Sequence, residues 1–96
     1  MDIFLADVFD GDNLIQTMVE VILQSEYRTF RTLTYYGQIS IADVFLSDPS
    51  KALNVGNEYT LIEQKGQLRR WVIRIAGEKS GLFDTTTFSF EVIQTL

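Results

Sequence analysis

Apolar and polar residues alternate most cleanly near the end of the chain. In the segment 85–92, Phe88, Phe90 and Val92 take every second place, and Thr87, Ser89 and Glu91 fill the gaps. Successive side chains of an extended strand point to opposite faces, so this pattern predicts a strand with one packed and one wet face. Residues 68–75 repeat it, with Trp71, Ile73 and Ile75 on one side and Arg70, Val72 and Arg74 on the other. Trp71 is therefore expected in the core. Tyr59–Ile62 predicts a further strand, joined to the Trp71 strand by the tight turn Gln64-Lys65-Gly66-Gln67, and Gly77–Asp84 is expected to close a long hairpin. Tyr27–Tyr35 and Gln38–Leu46 also read as strands.

Residues 14–24 fit two periods at once. Leu14, Ile15, Met18, Val19, Ile22 and Leu23 have helical spacing, with Asp12 or Asn13 as an N-cap. Ile15, Thr17, Val19, Val21 and Leu23 also alternate and are mostly β-branched. The preceding Asp10-Gly11 suits a hairpin turn. The balance favours a strand, with one short helix near residues 13–24 as the alternative.

Turn-forming clusters recur along the whole chain, at Asp10–Asn13, Tyr36-Gly37, Ser47–Ser50, Gly56-Asn57, Lys65-Gly66 and Gly77–Gly81. Such spacing predicts a mainly β, single-domain antiparallel sandwich or barrel spanning residues 1–96. The 46% of hydrophobic residues is enough for a core and too much for a disordered chain. Ile3–Phe9 echoes Ile39–Phe45, but the match fades after Asp48, and no repeat fold is read from it.

Composition then narrows the chemistry. There is no cysteine and no histidine, which removes thiolate and imidazole metal ligands, the Cys nucleophile and the usual neutral-pH base. Thirteen acidic residues offer many carboxylate pairs, yet none is singled out, and no glycine-rich phosphate loop is present. The expectation is a protein that is not an enzyme, with no cofactor and no metal. Asp7, Asp10, Asp12 and Asn13 are close enough to suggest calcium, but they lack the distal Glu of an EF-hand loop and read as turn residues. No apolar run approaches a membrane span, and no secretory signal is readable, so a cytoplasmic location is expected from the residues alone.

The charge layout is more informative. The net charge of −5 disfavours a phosphate backbone as partner. Six acids, Asp7, Asp10 and Asp12 among them, precede the first base, Arg28, whereas Lys65, Arg69, Arg70, Arg74 and Lys79 cluster late in the chain. The two groups are solvated outer faces of strands, pair as cross-strand neighbours, or join the acidic end of one subunit to the basic strand of the next. Arg69, Arg70, Arg74, Asp7, Asp10 and Asp12 are accordingly the candidate partner-binding residues, with arginine forks able to grip carboxylates.

The stretches Leu53–Leu61, Gly66–Ile75 and Phe88–Val92 resemble the barrel modules of tailed-phage neck and tail proteins, in which a Leu-x-x-Gly turn leads into a strand, a tight turn and an aromatic-initiated strand. The resemblance covers the second half of the chain, and Val72-Ile73-Arg74 lacks the glycine common in baseplate-hub domains. It implies a non-catalytic, ring-forming structural subunit, located in the virion or host cytoplasm, whose partners are copies of itself or other virion subunits. The alternative is a small β-sandwich binding module, carbohydrate-binding or inhibitory, with Tyr35, Tyr36 and Tyr59 as an exposed platform.

Overall fold

In the computed structural model, which covers residues 1–96, the Asp10–Asn13 cluster closes the first hairpin. Gly11 supplies the required positive φ of 61°, which costs glycine nothing. The turn joins β1 (Asp2–Asp10) to β2 (Asn13–Tyr27). Then follow β3 (Leu33–Ala42), β4 (Glu58–Glu63), β5 (Arg70–Ser80) and β6 (Thr85–Thr95). The strands close into an antiparallel barrel in the order β1-β2-β3-β6-β5-β4, with β4 returning to β1 through Ala6↔Glu63 to Phe9↔Thr60. Closure leaves no continuous sheet edge along the barrel wall.

Residues 13–24 are strand, and no helix forms there. The helix-like spacing has a cause within the sheet. Between Ala6↔Val19 and Val8↔Gln16, the single residue Asp7 faces both Thr17 and Met18. Between Val8↔Gln16 and Phe9↔Leu14, Ile15 has no partner on β1. Each extra residue is a β-bulge that shifts the inward–outward phase by one. Ile15 and Gln16 therefore both turn inward, and Thr17 and Met18 both turn outward. Met18 takes a φ of 57°, in the left-handed region that non-glycine residues seldom adopt.

Three other boundaries differ from the sequence expectation. Tyr27–Tyr35 is not one strand, because residues 28–32 turn, closed by the Arg28 N–H donating to the Thr32 carbonyl at 3.1 Å. β3 ends at Ala42, and Asp43–Phe45 forms a 3-10 turn. There the Asp43 N–H still donates to the Asp84 carbonyl at 2.8 Å as the last rung of the β3–β6 ladder, and the chain turns away only after it, with the Leu46 N–H donating to the Asp43 carbonyl at 2.9 Å. β5 runs through Gly77 to Ser80, so the following turn is shorter than expected. The Ile3–Phe9 echo carries no structural repeat, since Asp7 lies in a strand and Asp43 in that 3-10 turn.

The inward faces fill the barrel. Ile39, Leu61, Ile73, Ile75, Val8 and Val21 are completely excluded from solvent, Phe88 nearly so, and Trp71 is buried as the alternation predicts. Burying each such side chain contributes about 1.5–3 kcal/mol. Gly37, opposite Leu23 and Phe90, is the tightest point. A Cβ there would overlap the Ile22 carbonyl oxygen and lie 2.9 Å from Phe90 Cζ. The phenyl ring thus occupies the space that a side chain at position 37 would take.

Candidate functional site: the two mouths of the barrel

Every neighbouring pair of strands is antiparallel, so strand direction alternates around the wall. Connections 11–12, 43–57 and 81–84 therefore gather at one mouth, and connections 28–32 and 64–69 gather at the other with both termini. The 43–57 connection joins β3 to β4, which lie on opposite sides of the barrel, so it crosses the first mouth and plugs it. Leu53 is the stopper, at 3% exposure. Gln16 fastens the plug from below. Its Nε2 donates to the Phe45 carbonyl at 2.9 Å and to the Lys51 carbonyl at 2.8 Å, while its side chain is buried. Tyr59 also faces inward, and its hydroxyl accepts from the Asn54 N–H at 2.8 Å.

The outer surface of this plugged mouth is apolar with an acidic rim. Val44 is 72% exposed, Phe45 61%, Leu82 79% and Phe83 95%. Phe83 and Asp84 hold positive φ values of 57° and 53°, a strained conformation that keeps the phenyl ring in solvent. A groove of about 570 Å³ lies between the bulge of β2 and the plug, lined by Ile15, Met18, Val44, Phe45, Asp48 and Lys51 among others. Asp10, Asp12, Asp43, Asp48 and Asp84 all sit at this mouth, against Lys51 and the adjacent Glu78-Lys79 pair. The Asp48 carboxylate accepts from the Ser50 hydroxyl at 2.7 Å and the Ser50 N–H at 3.0 Å, and these bonds hold its pKa below the ordinary value.

The opposite mouth carries an arm. β1 pairs with β2 only as far as Leu23, and β6 pairs with β3 only from Tyr36. Beyond those points Ser25↔Tyr35, Glu26↔Thr34 and Tyr27↔Leu33 pair with each other alone. The result is a free two-stranded ribbon, and the molecule is elongated to 42 × 26 × 24 Å. By the pleat, Tyr27, Leu33 and Tyr35 lie on the face that continues the barrel lining. That lining is covered inside the barrel and open on the arm, where Tyr27 is 72% exposed and the tip residue Phe30 is 94% exposed. Arg28 and Arg31 flank the tip, and Lys65 and Arg70 lie at the same mouth without an ion-pair partner.

The residues singled out in the sequence divide into two groups. Arg69 and Arg74 pair within the chain. Arg69 Nε meets Glu63 at 2.8 Å and its Nη2 meets Asp2 at 2.6 Å, while the guanidinium lies 5.3 Å from the Phe4 ring centre and 5.0 Å from that of Trp71. Bonds to Glu63 and Asp2 raise its pKa above the ordinary arginine value, so it is a permanent cation tying the start of β1 to the β4–β5 turn. Arg74 pairs with Glu58 at 2.9 Å and Glu91 at 3.6 Å across neighbouring strands. The Asp7 carboxylate accepts from Thr17 at 2.7 Å and Gln64 at 2.6 Å on the wall. Arg70, Asp10 and Asp12 are exposed and carry no salt bridge. The tyrosine platform does not form: Tyr59 is core, and Tyr35 and Tyr36 point to opposite faces of β3.

Several residues at the mouths escaped the sequence reading. Gln16 is signalled only by a polar side chain within an apolar run and Phe83 only by its place in a turn, while Phe30 falls inside the expected strand Tyr27–Tyr35 and carries no signal. The class this defines is a closed, six-stranded antiparallel barrel with one plugged mouth and one mouth bearing an arm. Comparison with known proteins found no matching family model, no matching curated protein and no matching solved structure. No helix is long and apolar enough to cross a membrane.

Proposed function

We propose that this protein is a non-catalytic assembly subunit that works through protein–protein contacts in an oligomer, of the kind found in the neck or tail of a phage-like virion. The observation that carries the reading is the pair of mouths, each with large apolar side chains in solvent and with charges of opposite sign around them. Exposed apolar patches rimmed by polar residues mark protein interaction sites. The packed barrel lining supports the same reading, since the exposed chemistry sits at the ends and not in the lumen. Sedimentation of the whole chain over a range of concentrations tests it. Association that grows with concentration and weakens in about 1 M salt, where the screening length falls to about 3 Å, is the expected result. A chain that stays monomeric at the highest concentration in low salt would count against it.

A further inference from the structure

We infer that the arm of one copy docks on the plugged mouth of a second copy, so that subunits join head to tail. The inference rests on the assembly reading above and names its two surfaces and its occupant. Three observations carry it.

The first is that the arm is incomplete as a free structure. A lone two-stranded ribbon is at best marginally stable in water. Residues 25–27 and 33–35 pair only with each other, and both outer edges of the ribbon are open. Tyr27, Leu33 and Tyr35 extend the barrel lining past the last strand that covers it. The second is that the plugged mouth offers what the arm lacks. Its groove of about 570 Å³ has an apolar floor from Ile15, Met18, Val44 and Phe45, with Asp48 and Lys51 beside it. The groove has ample room for a side chain such as Phe30, which is 94% exposed at the tip of the arm.

The third is charge, which decides between a second copy placed head to tail and one placed arm to arm. The arm mouth carries Arg28, Arg31, Lys65 and Arg70 outside any salt bridge, with Glu26 the acid on the arm. The plugged mouth carries the acidic rim of Asp10, Asp12, Asp43, Asp48 and Asp84. Two arms would bring arginines together, and two plugged mouths would bring aspartates together. Only the unlike mouths attract, and like charges facing each other suppress the other pairings. A contact between two different surfaces of one chain repeats, giving a ring where the rotation closes and a filament where it does not.

The test uses one block on each surface. Phe30→Asp spoils the arm, and Val44→Asp spoils the groove. Both side chains are well exposed and neither is part of the core, so a folded barrel is expected from each. Each variant alone should sediment as a monomer, with self-association weakened at least about tenfold. A 1:1 mixture should form a heterodimer and stop there, because it retains one good arm and one good groove. Arg28→Glu with Arg31→Glu turns the arm acidic toward an acidic rim, so it should weaken assembly most at low salt, and added salt should no longer weaken what association remains. If the wild type assembles and both blocked variants assemble equally well, the docking is overturned while the assembly reading stands. If Phe30→Asp alone dissociates and Val44→Asp does not, the contact is arm to arm and the inference fails. A wild type that is monomeric throughout overturns both.

Discussion

Replacing Gln16 with leucine should release the plug. Gln16 sits on the inward side of β2 only because the bulge at Ile15 turns two consecutive residues inward. Its amide is the donor that holds the Phe45 and Lys51 carbonyls, at 2.9 and 2.8 Å, from within the barrel. Leucine has nearly the same volume and no donor. The cavity term is therefore small, and the loss is that of two partly buried acceptors with nothing to bond. One such orphaned group costs about 1–3 kcal/mol, and because both carbonyls can regain some water the pair should cost about 2–4 kcal/mol. For a domain of this size, 1 kcal/mol shifts the melting temperature by about 4–8 °C, so a fall of about 8–32 °C is expected. Thermal melts and urea titration of wild type and Gln16→Leu measure it. Hydrogen exchange should accelerate first in residues 43–57, since the wall strands keep their ladders. A change of less than about 0.5 kcal/mol, the size of an ordinary surface substitution, would refute the claim that this amide anchors the plug.

Other outcomes follow from the same geometry. Gly37→Ala should destabilise by about 3 kcal/mol, at the upper end of overpacking, because the new Cβ meets the Ile22 carbonyl and Phe90. Gly77→Ala, which meets only Ser89 Oγ at 3.2 Å, should stay within about 1 kcal/mol in the same denaturation assay; equal effects at the two positions would argue against a special role for Gly37. Arg69→Ala should cost about 2 kcal/mol, less than a fully buried pair because the arginine is one-third exposed, and it leaves Glu63, at 8% exposure, without its cation. High salt should rescue little of this loss if the pair is shielded as the structure indicates. The Asp48 carboxylate has a pKa depressed in the folded state, so its contribution is full above the ordinary value of 3.8 and disappears as pH falls through the lowered one. The stability difference between wild type and Asp48→Ala should thus narrow in acid, and one that widened would contradict the Ser50 bonds.

Legibility followed the regularity of the local pattern. The alternations at Trp71-Ile73-Ile75 and Phe88-Phe90 are uninterrupted, and those strands and their inward faces were readable directly. The segment 14–24 was ambiguous because two bulges reset its phase, and a reset alternation of period two imitates a period near four. Gly37 has the look of turn punctuation in the sequence, while its role is close packing against Phe90 in the middle of β3. Charge was half legible. The separation of acids from bases is present in the fold, but it is carried largely by other residues than the early aspartates and the late arginines. Arg69 and Arg74 are satisfied by Asp2, Glu63, Glu58 and Glu91, and the free bases that remain at the arm mouth include Arg28 and Arg31.

That this chain makes strands, which of its faces are apolar, and that neither thiol nor imidazole chemistry is available to it can be read from the residues in order. These are properties of single residues and their nearest neighbours. That β1 and β4 meet to close the wall, that residues 43–57 plug one mouth, and that the ribbon at 24–35 outruns both strands beside it emerges only in the folded chain. Those features depend on pairings between residues far apart in the chain, whose register is fixed by the shared core and by bulges that no local pattern reveals.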